Sequence, residues 1–193
     1  MYSLSAYLPA QSIQLISEWL EQHNCNLKIS NPRKTKFGDY RFVNNQHHIT
    51  INNDLNKYAF LVTLTHEIAH MFVFEKYRNA VLPHGTEWKM TFQRLMLNFI
   101  PILPEDIQKS ISHHIKNPKA STCSDPKLFS ILSNYDDEKH LVVCEIEDNT
   151  RFFTVDGNAF ERICKVRTRI KCRKIANNKL YLFNPNCKIV LNQ

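Results

Sequence analysis

Apolar positions recur along this chain at two periods, and the change from one to the other divides it. Ile13, Ile16, Trp19 and Leu20 repeat at helical spacing and predict an amphipathic helix over 9–23. Residues 27–30, 38–43 and 47–51 read as short strands. His48-Ile49-Thr50-Ile51 alternates, and Asn44-Asn45 suits a turn between two of them. Asn52, Asn53 and Asp54 are candidate N-caps for a helix over 55–78 that is apolar almost throughout. Pro83-His84-Gly85 breaks the chain. The next helix lines up Trp88, Phe92, Leu95, Met96 and Phe99 on one face and ends at Pro101 and Pro104, and a shorter helix follows over roughly 104–116. Residues 117–126 are polar, lie between two prolines and read as a linker. Beyond them 128–132, 140–146, 151–155, 163–174, 179–183 and 187–191 are rich in Val, Ile, Phe and Thr, with turn residues between. The expectation is an α+β protein in two parts, a helical-plus-sheet domain over 1–118 and a small β domain over 126–193.

Composition narrows the function classes. The chain has 193 residues, 43% of them hydrophobic and 22% charged, which fits a folded globular protein and excludes a disordered tail, a collagen or a coiled-coil rod. Three glycines cannot spell a Gly-rich phosphate loop. No apolar run approaches the ~18 residues of a membrane span. Met1 to Pro9 lacks a basic segment followed by an apolar one, so the expectation is a cytoplasmic protein with no membrane partner. Six scattered cysteines without a CxxC then read as reduced thiols. The net charge is +7, and residues 158–193 alone hold nine basic residues against Glu161. The remainder is close to neutral, so the surplus points to a surface for polyanions.

The candidate chemistry is in the apolar helix. His66-Glu67-Ile68-Ala69-His70 is an HExxH, a pattern that random placement in this composition gives roughly 0.02 times. Four helical residues turn about 400°, so both imidazoles project from one face and can reach one zinc. Thr63, His66, Glu67 and His70 form one polar stripe on an otherwise core-like helix. Burying it without partners would cost several kcal/mol, and a metal in a cleft supplies a partner. Glu67 stands beside the ligands to act on water. A catalytic zinc takes three protein ligands. The metzincin pattern fails, because Val73 and Lys76 occupy the positions of its Gly and His. His84 is the favoured third ligand, since it lies four residues before Trp88 on the inward face. Glu87 and Glu75 remain as alternatives.

These residues resemble a known family. The HExxH helix, with Leu64-Thr65 ahead of its first His, is preceded by Gly38-Asp39-Tyr40-Arg41 and Ile49-Thr50-Ile51-Asn52 and followed by His84-Gly85-x-x-Trp88-Lys89. Together they look like the SprT-like metallopeptidases, related to the eukaryotic protease Spartan, over roughly residues 10–100. The resemblance implies a zincin-like fold for the first domain, one catalytic Zn2+ on His66, His70 and His84, and Glu67 as catalytic base. It also implies proteolysis of proteins at or near DNA, including DNA–protein crosslinks. Many members carry a C-terminal zinc ribbon with paired CxxC knuckles. Here Cys144, Cys164, Cys172 and Cys187 stand singly, so a β domain in a degenerate zinc-ribbon-like position, held by apolar packing, is expected.

Residues 164–173 alternate strictly. Read as one strand, Lys165, Arg167, Arg169, Lys171 and Arg173 share a face as a cationic ladder, with Cys164, Val166, Thr168, Ile170 and Cys172 on the other. Like charges in a row repel, so the arrangement is expected to bind the phosphates of DNA or RNA. A solvated strand that blocks edge aggregation is the plainer alternative. The competing function class is a non-catalytic nucleic-acid-binding module with a structural or vestigial zinc site. Glu67 argues against it, because a structural site has no use for that carboxylate.

Overall fold

Lys57–Tyr77 form α2, the 21-residue helix on which the rest of the first unit is assembled. Thirteen of its residues, from Ala59 to Val73, are buried, because it is apolar on nearly every side. Its N-cap is Asn56, whose side chain accepts from the main-chain N–H groups of Tyr58 and Ala59. The earlier cap candidates are displaced for a physical reason. Asn52 is buried and committed to Arg33: it accepts from Arg33 Nε at 2.8 Å and donates to the main-chain oxygens of Arg33 and Lys36.

The computed structural model describes residues 4–33, 36–118, 125–137 and 141–191. They fall into two compact units, Met1–Asp137 and Glu138–Gln193. In the first, a short 3-10 turn leads into α1 (Ile13–Gln22). Strands β1 (Cys25–Ser30), β2 (Gly38–Val43) and β3 (Gln46–Asn52) form a sheet of order β1-β3-β2, with β1 parallel and β2 antiparallel to β3. Asn44 and Asn45 both adopt positive φ, 51° and 57°, and close the β2–β3 hairpin as the expected tight turn. Tyr40, Phe42, His47 and Ile49 share one face of that hairpin, and β2 and β3 both pack on α2. Helices α3 (Thr86–Leu97) and α4 (Glu105–His114) add Trp88, Phe92, Leu95, Met96, Ile107 and Ile111 to the core.

Residues 128–132, expected as a strand, are instead part of a helix, α5 (Pro126–Ser133), and that helix belongs to the first unit rather than the second. Leu128 and Leu132 are buried in the core of the first unit. Asp125 caps α5 and also accepts from the buried His114 at 2.8 Å. Asn56 donates to the main-chain oxygen of Leu132 at 2.9 Å, and Tyr135 donates to Asp106 at 2.7 Å. The linker expected over 117–126 lies largely outside the described residues.

The second unit is a six-stranded sheet of order β4-β9-β5-β6-β7-β8. Its strands are β4 (Leu141–Val142), β5 (Arg151–Thr154), β6 (Ala159–Val166), β7 (Arg169–Lys174), β8 (Leu180–Phe183) and β9 (Lys188–Val190). Val143, Ile146, Phe152, Phe160, Ile170, Cys172 and Ile189 form its core. The single strand expected over 163–174 is two strands, joined at Arg167–Thr168. Arg167 takes a φ of 52° to make the turn. Strand alternation runs unbroken through a two-residue turn without Gly, Asn or Asp, which is why the period did not reveal it.

Candidate metal centre

His66 and His70 sit one turn apart on α2, and a separate element brings the third imidazole to them. His84 lies in the turn between α2 and α3 with a φ of 58°, the left-handed region that a bulky residue enters only at a cost. From there its Nε2 lies 3.1 Å from Nε2 of His66 and 3.0 Å from Nε2 of His70. Trp88, one turn into α3, packs against all three rings, with centroids at 4.5, 5.3 and 4.7 Å from those of His66, His70 and His84. Among the described residues this triad is the group of side chains able to hold a metal ion. Glu87 is not part of it. Glu75 is turned elsewhere, accepting from His47 Nε2 at 2.7 Å.

The triad suits zinc on two counts. A tetrahedral site with Zn–N bonds of about 2.0–2.1 Å has donor–donor edges of about 3.3–3.4 Å, so small movements of these rings would seat the ion. Burial, followed by the neighbouring imidazoles, holds His66 well below its usual range and pushes His70 down to about 3; burial also lowers His84. All three are therefore neutral, the form that binds a metal. Thr63 Oγ1, on the stripe, and Trp88 Nε1, against the three rings, are buried without a hydrogen-bond partner among the described residues.

Glu67 lies one residue along α2, with 7% of its surface exposed. Burial and then the charge of Asp39 push its carboxyl up to about 8; Arg33, Lys36 and a main-chain hydrogen bond from Tyr40 act in the opposite direction. Gly38 makes this seat available. A Cβ there would stand 2.4 Å from Glu67 Oε1. Asp39 next to it would also be raised by burial, but Lys36 and Arg41 outweigh this and hold it ionised. In the sequence, Gly38 and Tyr40 stand out only as part of the family resemblance. Their contacts with α2 join residues 27 or more apart, beyond the reach of any periodicity.

A model of the SprT-like family matches residues 10–113, more than half of the chain. The chain belongs to the SprT-like family. No curated protein and no solved structure matches it significantly. SprT-like membership brings with it a metallopeptidase-like domain, and the matched segment contains the whole triad, Glu67 and Gly38. The match ends before α5 and the second unit.

The cationic ladder needs correction. Paired residues share a face, so Arg169, Lys171 and Arg173 of β7 lie with Val166, Cys164 and Glu161 of β6. Lys165 stands opposite Ile170, on the other face, and Arg167 is in the turn. Register shifts between Arg162 and Cys164, which breaks the strict alternation. Arg173 is paired with Glu161 at 2.6 Å. Arg169 and Lys171 make no ion pair among the described residues and keep their shared face. Tyr181 packs edge-on against Phe160. No helix among the described residues is long and apolar enough to cross a membrane.

Proposed function

We propose that this protein is a zinc-dependent endopeptidase acting on proteins at or near DNA. The observation that carries the reading is the convergence of three neutral imidazole Nε2 atoms from two elements, with a buried carboxylate next to one of them on the helix. His66, His70 and His84 would hold the ion. Bound zinc supplies Lewis acidity, polarising a carbonyl and acidifying water. Glu67, buried on α2 beside Gly38 and next to a metal-ligand position, takes the proton from the attacking water and returns it to the leaving amine. His70 and His84 are only partly buried, so the site is open to a substrate on their side. β2 is an edge strand, and an extended polypeptide could join its ladder.

The nucleic-acid part rests on the charge of residues 158–193, concentrated at the β6–β7 turn and on the outer face of β7. Arg167, Arg169 and Lys171 are its centre, with Lys165 near the turn and Arg173 partly neutralised by Glu161. The test of the whole is direct. Purified protein should carry about one zinc per chain and cleave fluorescein-labelled casein, and Glu67→Gln should keep the zinc and lose the cleavage. Undiminished cleavage by that variant would sink the reading.

A further inference from the structure

Four polar groups from four elements lie in a row across the first unit, running from the half-buried Tyr40 through the buried His47 to the exposed Glu75, and the reading above does not use them. Tyr40 Oη on β2 is 2.8 Å from Nδ1 of His47 on β3. His47 Nε2 is 2.7 Å from Oε1 of Glu75 on α2. His23, just past α1, brings Nδ1 to 3.7 Å from the same oxygen. Protons can be assigned along the row. Glu75 is held ionised, first by the hydrogen bond from His47, so it only accepts. His47 therefore donates from Nε2 and accepts at Nδ1. Tyr40, whose phenol burial holds firmly protonated, donates to it.

The surroundings make this row unusual. His47 is 3% exposed and lies against Phe42, Phe74 and Tyr40. Apolar side chains of similar volume would fill such a place at least as stably. What a satisfied polar row adds is a fixed orientation. Its far end is at the metal centre. The Tyr40 ring lies parallel to that of His70, at 8° and 6.4 Å between centroids, and the Tyr40 main-chain N–H acts on the Glu67 carboxylate. β2 is hydrogen-bonded to a neighbour on one side only, so its ladder alone leaves one edge free to shift.

We infer that Tyr40, His47 and Glu75 form a positioning relay that fixes strand β2 against Glu67 and His70. The inference rests on the peptidase reading for its consequence, and on geometry alone for its existence. Glu75 is anchored on the same helix as the metal ligands, five residues beyond His70. A shift of α2 against the sheet would break the Glu75–His47 bond before it changed the triad. The relay thus holds the sheet in register with the helix at the level where Glu67 must be aimed. Tyr40, His47 and Glu75 are positioning residues; none of them touches the reacting atoms.

The test compares Tyr40→Phe, Glu75→Ala and Glu75→Gln with wild type. In Tyr40→Phe and Glu75→Ala, kcat on fluorescein-labelled casein should fall about tenfold, with KM within twofold and zinc stoichiometry unchanged, because orientation and not binding is lost. Glu75→Gln retains an oxygen acceptor for His47 and should restore kcat relative to Glu75→Ala. A purely structural role would lower the melting temperature and leave kcat per folded molecule intact. Wild-type kcat in Tyr40→Phe and Glu75→Ala, or no restoration by Glu75→Gln, would overturn the relay. Glu67→Gln, measured alongside, separates the two ideas. If it is inactive while the relay variants are not impaired, only the relay fails. If casein is not a substrate at all, hydrogen exchange of the segment 38–43 decides: it should quicken in Tyr40→Phe and Glu75→Ala, and unchanged exchange would overturn the relay without reference to activity.

Discussion

Gly38→Ala is the most searching single substitution for the site. The position is extended and not left-handed, since the one glycine with positive φ is Gly157, so alanine brings no backbone penalty. The whole effect is therefore steric. The new Cβ would stand 2.4 Å from Oε1, 2.8 Å from Cγ and 2.9 Å from Cδ of Glu67. Ordinary van der Waals contact begins near 3.4 Å, so the carboxylate must retreat by about 1 Å. Three of its atoms are involved and Glu67 is 7% exposed, so a simple swing into solvent is not available. A displacement of about 1 Å at a reacting group costs roughly 100-fold in rate, equivalent to about 2.7 kcal/mol of barrier. Overpacking should also remove about 1–3 kcal/mol of stability. Zinc should be retained, because the atoms nearest the new methyl all belong to Glu67, which is not one of the three imidazole ligands. The assay is kcat and KM on fluorescein-labelled casein, with zinc by mass spectrometry and a melting curve. Activity within twofold of wild type at unchanged melting temperature would show that Glu67 does not work from the seat beside Gly38.

Other expectations follow from the same geometry. His84→Ala should lose zinc while His70→Ala and His66→Ala do the same, since two imidazoles do not make a catalytic zinc site; full zinc in His84→Ala would exclude it as a ligand. Changing Arg167, Arg169 and Lys171 together to Gln should weaken binding to oligonucleotides and reduce the slope of log K against log salt by about 2–3, with zinc unchanged; equal slopes in an anisotropy titration would reduce these residues to a solvated edge. Asp125→Asn keeps the cap on α5 and removes the charge that faces His114, so it should lower the melting temperature at pH 7 by several degrees. Although burial acts to raise it, the His114 bond holds the Asp125 carboxyl below its usual range. Its stabilisation is then complete above an unfolded value of about 3.9 and disappears as pH falls below that. Parallel melting curves of wild type and variant between pH 5 and pH 2 would contradict this.

Much of the first unit was legible because its signals are local. The HExxH lies on one helix, the apolar surround of α2 announces burial, and Asn44-Asn45 is a recognisable hairpin turn. His84 could be chosen from its spacing to Trp88, although nothing in the sequence showed that its backbone would be left-handed. The cap was misplaced because Asn52, Asn53 and Asp54 are chemically as good as Asn56; only the tertiary commitment of Asn52 to Arg33 decides between them. α5 was read as a strand from Leu128, Phe129, Ile131 and Leu132. Asp125 followed by Pro126, a cap and a first-turn proline, was the available signal for a helix. The β6–β7 hairpin was hidden by its own regularity, since Arg167 and Thr168 continue the alternation they interrupt. The Tyr40–His47–Glu75 row is invisible in sequence, because its members are 7 and 28 residues apart on three elements.

The attachment of α5 bears on where this molecule can be divided. The SprT-like match stops at residue 113, whereas the first unit continues to Asp137. A cut at the boundary of the family likeness would remove the buried His114 together with its partner Asp125, take the main-chain oxygen of Leu132 from the cap of α2, and take Leu128 and Leu132 from the core they close. The shared ancestry of the segment and its independence as a folding body are thus different lengths of chain. A shortened chain would need α5 to remain intact, even though that helix supplies none of the candidate metal ligands among the described residues.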